Sequence, residues 1–116
     1  MMYITLVNSI VELGKSVSGQ VSWQGTSQQS VTVKLEWHTE GQGSKNKQTI
    51  TTLELGKVSS GDVIPFKFDL PYEAPVSFDG KLFRVIWVVK AEVRGGIFGG
   101  KTYSVPLQVI PRRSRL

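Results

Sequence analysis

The chain has 116 residues, of which 40% are apolar and 20% are charged, and its formal net charge is +5. This length corresponds to one domain, and the composition is too apolar for general disorder. The chain has no cysteine, which excludes a disulfide framework and is compatible with the cytoplasm without requiring it.

Neither a targeting signal nor a membrane-spanning segment is visible in the sequence. The N-terminal residues lack the basic stretch and the apolar run of a secretory signal. No stretch approaches the ~20 consecutive apolar residues that a transmembrane helix needs. We therefore expect no membrane span and a cytoplasmic location.

The positive charge is spread along the chain, and it clusters only at Lys45/Lys47 and in the C-terminal tail. Proteins that bind a nucleic-acid backbone concentrate positive charge on one face. The scattered charge therefore does not favour nucleic-acid binding.

Apolar residues recur at every second position through most of the chain, which is the period of a β-strand with one buried face. No helical period occurs. The pattern predicts an all-β antiparallel sandwich of about seven strands, in one domain over residues 1–110, with a flexible basic tail over 111–116. In chain order, the apolar segments cover residues 4–13, 17–23, 31–37, 50–55, 64–70, 82–94 and 103–109.

The most informative segment is Gly61–Val93. A strand ends at Leu70-Pro71, a loop follows with the sequence Pro75-Val76-Ser77-Phe78-Asp79-Gly80, and a long strand begins at Leu82. This arrangement resembles the arrestin-like family of immunoglobulin-like β-sandwiches. The resemblance implies a module that binds other proteins. No residue of this chain matches a phosphate-sensing residue of that family. Members of the family usually pair two sandwiches, so the resemblance of this one sandwich does not imply activities that need both.

The sequence predicts no catalytic, cofactor or metal site. His38 is the only histidine, and no serine has the context of an activated nucleophile. One histidine among scattered acids is not a zinc ligand set. Glu73 and Asp79 are the candidate carboxylate pair, but acids in exposed loops are normally solvated.

Four apolar residues are the candidates for partner binding. Ile86 and Val88 lie on the otherwise polar face of the long strand, and Ile97 and Phe98 lie in the turn Gly95–Gly100. A water-facing strand centre rarely carries two such side chains. We therefore expect that either the loop over 71–80 or another chain covers Ile86 and Val88.

We predict from these features a non-enzymatic protein-interaction module, an adaptor or scaffold with an unidentified protein partner. A homodimer is one form that this interaction could take. The first alternative is a carbohydrate- or small-ligand-binding module that stacks its ligand on Trp23, if that ring is exposed. The second alternative is a hydrolase that uses His38, Glu73 or Asp79.

Overall fold

The computed structural model describes residues 1–25, 28–43, 45–94 and 100–112. In this part of the chain there are nine strands and no helix, so no helix there is long and apolar enough to cross a membrane. The strands are β1 (Met2–Leu6), β2 (Ile10–Glu12), β3 (Ser16–Trp23), β4 (Gln29–Gly41), β5 (Lys47–Val58), β6 (Val63–Asp69), β7 (Phe78–Asp79), β8 (Phe83–Arg94) and β9 (Lys101–Ile110).

The strands form two sheets. The small sheet has the order β1-β3-β6, and the large sheet has the order β2-β9-β8-β4-β5, with β7 added beside β8. The predicted all-β sandwich is confirmed, with nine strands rather than about seven. The two strands beyond the expected number, β2 and β7, have only three and two residues, which is too short to show a period of two.

The pairing is antiparallel except between β2 and β9, which run parallel. The segment over 4–13, predicted as one apolar stretch, is divided at Val7–Ser9. Its first part joins the small sheet as β1 and its second part joins the large sheet as β2. The chain therefore crosses between the sheets at its start.

The core lies between the two sheets. It consists mainly of the apolar residues at every second position of the strands, which the sequence pattern predicts to be buried. Trp87 is fully buried, and its indole Nε1 donates a hydrogen bond of 2.8 Å to the Pro75 carbonyl oxygen, which fixes the segment between β6 and β7 to the core. Trp23 is also buried, at 9% exposure. Other buried members include Val17, Val21, Phe66, Phe68, Val33, Leu35, Val89, Ala91 and Val109.

On the predicted core face of β8, one residue is exposed. The alternation places Phe83 on the same face as Val85 and Trp87, but the Phe83 side chain is 45% exposed. Phe83 is the first residue of β8 and lies opposite Gly41 at the end of β4. Its ring lies against the exposed ring of Phe78, with the two centroids 5.1 Å apart.

β5 is one of the two edge strands of the large sheet, and its pairing with β4 is irregular. The register shifts between Val31 and Thr32, and again between Leu35 and Glu36. Gly56 lies at the first of these irregularities and has a φ of 73°, a conformation that favours glycine. Two β-bulges therefore interrupt this edge.

Gly19 shows how closely β1, β3 and β6 pack. A Cβ atom at this position would lie 2.2 Å from the backbone oxygen of Thr5 and 2.8 Å from the ring of Phe66. We expect Gly19→Ala to lower the free energy of unfolding by about 1–3 kcal/mol, because a backbone atom cannot move aside cheaply. Urea denaturation measures the change.

The control is Gln20→Ala, at the exposed neighbouring position of the same strand. Its effect should stay within about 0.5 kcal/mol. Equal stability of the two variants would show that the small sheet adjusts to the added methyl group.

Candidate functional site

The outer face of the large sheet, which points away from the small sheet, carries most of the paired charges of the described residues. β4 and β8 pair directly, and their register places Glu36 beside Val88 and His38 beside Ile86. On the far side of β4, His38 lies opposite Lys47 of β5. Because paired residues point to the same face of a sheet, these side chains share one surface.

Glu36 is the most buried charged side chain of this face, at 2% exposure. Its Oε1 lies 2.6 Å from Lys90 Nζ and 3.8 Å from Lys47 Nζ, and its Oε2 accepts a hydrogen bond of 3.5 Å from Thr49 Oγ1. The hydrogen bond to Glu36 raises the pKa of Lys90 above its ordinary value. A buried carboxylate needs such partners, since an unpaired charge in this place would be strongly unfavourable.

A second ion-pair group lies nearer the end of the sheet. Arg84 Nη2 donates to Glu40 Oε2 at 2.7 Å, and His38 Nε2 contacts Glu40 Oε1 at 3.2 Å. The hydrogen bond from His38 lowers the pKa of Glu40, and the charge and hydrogen bond of Arg84 lower it further. At neutral pH Glu40 is therefore an anion that already has a cationic partner.

The lysine groove is an open depression of about 600 Å³ that crosses this face. Its floor contains Val88, and Val88 itself is only 9% exposed. Most of the Val88 side chain is thus covered within the monomer by its neighbours on the sheet. The charged residues that line the groove are Glu36, His38, Glu40, Lys45, Lys47 and Lys90.

The fork groove, of about 510 Å³, lies beside it where β8 changes partner. Trp87 pairs with Leu107 of β9, but Val85 pairs with Phe78 of β7, so the sheet divides between these positions. Ile86 lies at this division and is half-buried. Besides Ile86, the groove is lined on the outer face by Ile10, Asp79, Arg84, Pro106 and Gln108.

Ile86 and Val88 are thus on the predicted outer face, with Ile86 the more accessible of the two. The loop over 71–80 lies close to Ile86 at its C-terminal end, where Asp79 and Ser77 line the fork groove. Ile97 and Phe98, the other two candidates, lie outside the described residues.

Sequence reasoning missed a group of exposed aromatic residues at the end of the sandwich. The rings of Phe78 and Phe83 have centroids 5.1 Å apart, and both side chains are nearly half exposed. Leu82, in the turn between them, is 67% exposed. The amide of Gly80 donates to the Phe83 carbonyl oxygen and closes this hairpin. The spacing of two phenylalanines around Asp79-Gly80 could have predicted the pair.

The residues proposed for the alternative functions are not brought together. Trp23 is buried, and Gly25 packs against its ring, so Trp23 offers no platform for a sugar. His38 contacts Glu40, Asp79 lies at the fork groove, and Glu73 is exposed in the segment after β6. Within the described ranges, no group of three His, Asp or Glu residues could hold a metal ion.

Of the predicted tail, Arg112 lies 5.0 Å from the Tyr72 ring centroid, and residues 113–116 lie outside the described part.

The solved structures that match this fold include the following two. Spo0M, a sporulation control protein from Bacillus subtilis, superposes with a TM-score of 0.69 at 22% identity, over 93% of this chain and 48% of the Spo0M chain. A superoxide reductase (neelaredoxin) from Ignicoccus hospitalis gives a TM-score of 0.54 at 12% identity, over 95% of this chain and 80% of the reductase chain. The present chain thus spans about half the length of Spo0M. At these identities the likeness establishes the β-sandwich fold alone.

No family model and no curated protein matches the sequence. The class defined by the fold is therefore an all-β sandwich with two packed sheets.

The burial of Glu36 makes Lys90 important for stability. We expect Lys90→Met to lower the free energy of unfolding by about 2–4 kcal/mol, because it leaves the Glu36 carboxylate with only the longer contact to Lys47 and the hydrogen bond from Thr49. Adding Glu36→Gln to Lys90→Met should recover much of this loss, since the buried charge is then removed. Chemical denaturation of the two variants measures both effects.

Lys34→Met is the matched control on the same face. Lys34 pairs with Glu92 at 3.1 Å, but both side chains are about 30% exposed, and the loss should stay below about 1 kcal/mol. An equal loss in Lys34→Met and Lys90→Met would contradict a special role for the buried carboxylate.

Proposed function

We propose that this chain is a non-enzymatic protein-interaction module of arrestin-like fold that binds its partner through the outer face of the large sheet. Spo0M, which has an arrestin-like fold, supports the finer description of the sandwich. The sequence resemblance between Gly61 and Val93 supports it independently. An adaptor or scaffold in the cytoplasm is the role that agrees with these features and with the absence of cysteine.

The observation that carries the proposal is the position of Ile86 in the open fork groove. Ile86, Ile10 and Pro106 give the groove an apolar part, and Arg84, Asp79 and Gln108 surround it with polar groups. An apolar centre with a polar rim is the usual anatomy of a specific protein interface. Phe78, whose side chain is 49% exposed, also lines this groove.

The alternative functions have weaker support. Sugar stacking depended on Trp23, which is buried. Hydrolysis depended on His38, Glu73 or Asp79, and His38 is hydrogen-bonded to Glu40 rather than to a nucleophile. We therefore retain the protein-interaction module as the single proposal.

A site-specific photo-crosslinker tests the proposed surface. We place it at Gln108, which is exposed at the fork groove, and separately at Gln20, which is exposed on β3 of the small sheet. In cells of the source organism, Gln108 should yield defined crosslinked proteins, identified by mass spectrometry, that Gln20 does not yield. Ile86→Lys should abolish these products because it places a charge in the apolar part of the groove.

Circular dichroism should show that Ile86→Lys keeps its β-sheet spectrum. The same products at both positions, or unchanged products with Ile86→Lys, would contradict the proposal. Crosslinks only to a second copy of this chain would show that the surface forms a homodimer.

A further inference from the structure

The lysine groove has more cationic side chains than carboxylates, because Lys45, Lys47 and Lys90 line it together with Glu36 and Glu40. Lys90, at 2.6 Å, is the cation that lies within hydrogen-bonding distance of Glu36. Lys47 lies 3.8 Å from the same carboxylate, beyond hydrogen-bonding distance, and its side chain is 59% exposed. Lys47 is therefore not hydrogen-bonded to Glu36, and its ammonium group stays accessible to a second anion.

The other carboxylate of the lysine groove does not balance this charge. Glu40 is held by Arg84 at 2.7 Å and by His38 at 3.2 Å. Lys45, which is exposed, lines the same groove as Lys47. An anionic group that entered the groove would thus find two accessible ammonium groups.

The lysine groove and the fork groove are close enough for one short segment to occupy both. His38 pairs with Ile86 on one side and with Lys47 on the other. Neighbouring strands are about 4.8 Å apart, so Lys47 lies about 10 Å from Ile86 across the sheet. An extended peptide covers that distance in about three residues.

The pattern of charge favours a peptide over a nucleic acid. Glu36, Glu40, Asp79 and Glu92 are interspersed among the cations of the outer face. A nucleic-acid backbone carries a negative charge at every nucleotide and would bring some of these charges against the carboxylates. A peptide can instead place its acids only over the lysines.

We infer that the partner contributes an acidic segment, in which carboxylates pair with Lys45 and Lys47 while an apolar side chain about three residues away enters the fork groove at Ile86. This inference rests on the proposed function and specifies the chemistry of the partner. Complementary charge would fix the register of the segment, and the apolar side chain would supply buried area.

The test uses a synthetic peptide of one leucine, two glycines and four glutamates, titrated into the isotope-labelled protein. The matched probe has glutamines in place of the glutamates. Amide chemical shifts report both the affinity and the location of binding, including dissociation constants in the millimolar range. We expect the glutamate peptide to shift the amides of Lys45, Lys47, His38 and Ile86, and to bind at least about tenfold more tightly than the glutamine peptide.

Two double variants distinguish the effect of the charges in the groove on peptide affinity from the effect of the overall charge of the protein. Lys45→Gln/Lys47→Gln should weaken binding of the glutamate peptide about fivefold or more. Lys57→Gln/Lys67→Gln removes the same charge at exposed positions away from the groove and should change the affinity by less than about twofold. Replacing the leucine of the peptide by glycine should abolish the shift at Ile86.

The inference is overturned if the glutamate peptide does not bind, if both double variants weaken it equally, or if a twelve-residue oligothymidylate displaces it at lower concentration. If the glutamate peptide fails while the crosslinker at Gln108 still captures a protein that Ile86→Lys loses, only the acidic chemistry is wrong. If that capture also fails, the proposed function is wrong as well.

Discussion

The antiparallel pairing of β4 with β8 is the constraint on which the rest of the structure depends. It runs without a register shift from Ser30 opposite Arg94 to Gly41 opposite Phe83. Because successive side chains alternate between faces, this single register determines both the core contacts of Trp87 and the outer contacts of Glu36. A slip of one residue would bring Glu36 into the core and Leu35 into water. The core and the candidate interaction surface are therefore two consequences of the same pairing.

The sequence was sufficient to predict what depends on local alternation. The alternation predicts a buried face for Val17, Phe68 and Trp87, because their neighbours at every second position are also apolar, and all three are buried. Burial of Glu36 could not be predicted in this way. It depends on Lys90, which is distant in the sequence and approaches only when β4 and β8 pair. Phe83 continues the alternation but is the first residue of β8 and stays 45% exposed. The alternation of a strand does not show at which residue burial begins.

The outer face offers a partner both apolar contacts and charged contacts. The fork groove around Ile86 offers a small apolar area, and the ion pairs of Glu36 and Glu40 hold the neighbouring cations in place. Arg84, which lines the fork groove and is already fixed by its ion pair with Glu40, loses less conformational entropy when a partner binds than a free side chain does. The buried carboxylate of Glu36 thus has two consequences. It requires Lys90 for stability, and it holds the positive charge of Lys90 at a defined position on the surface.

The two bulges of β5 affect how this protein meets other chains. An edge strand presents a row of unpaired amide and carbonyl groups, and a regular edge of 12 residues would be a template on which foreign strands could add. The shifts beside Thr32 and Glu36 break that row into short pieces whose donors and acceptors are out of step with a straight strand. The edge therefore resists indiscriminate growth into larger sheets. The choice of partner therefore depends on side-chain contacts and not on backbone pairing at this edge. Side chains can be substituted one at a time in evolution without disturbing the backbone pairing of the sheet.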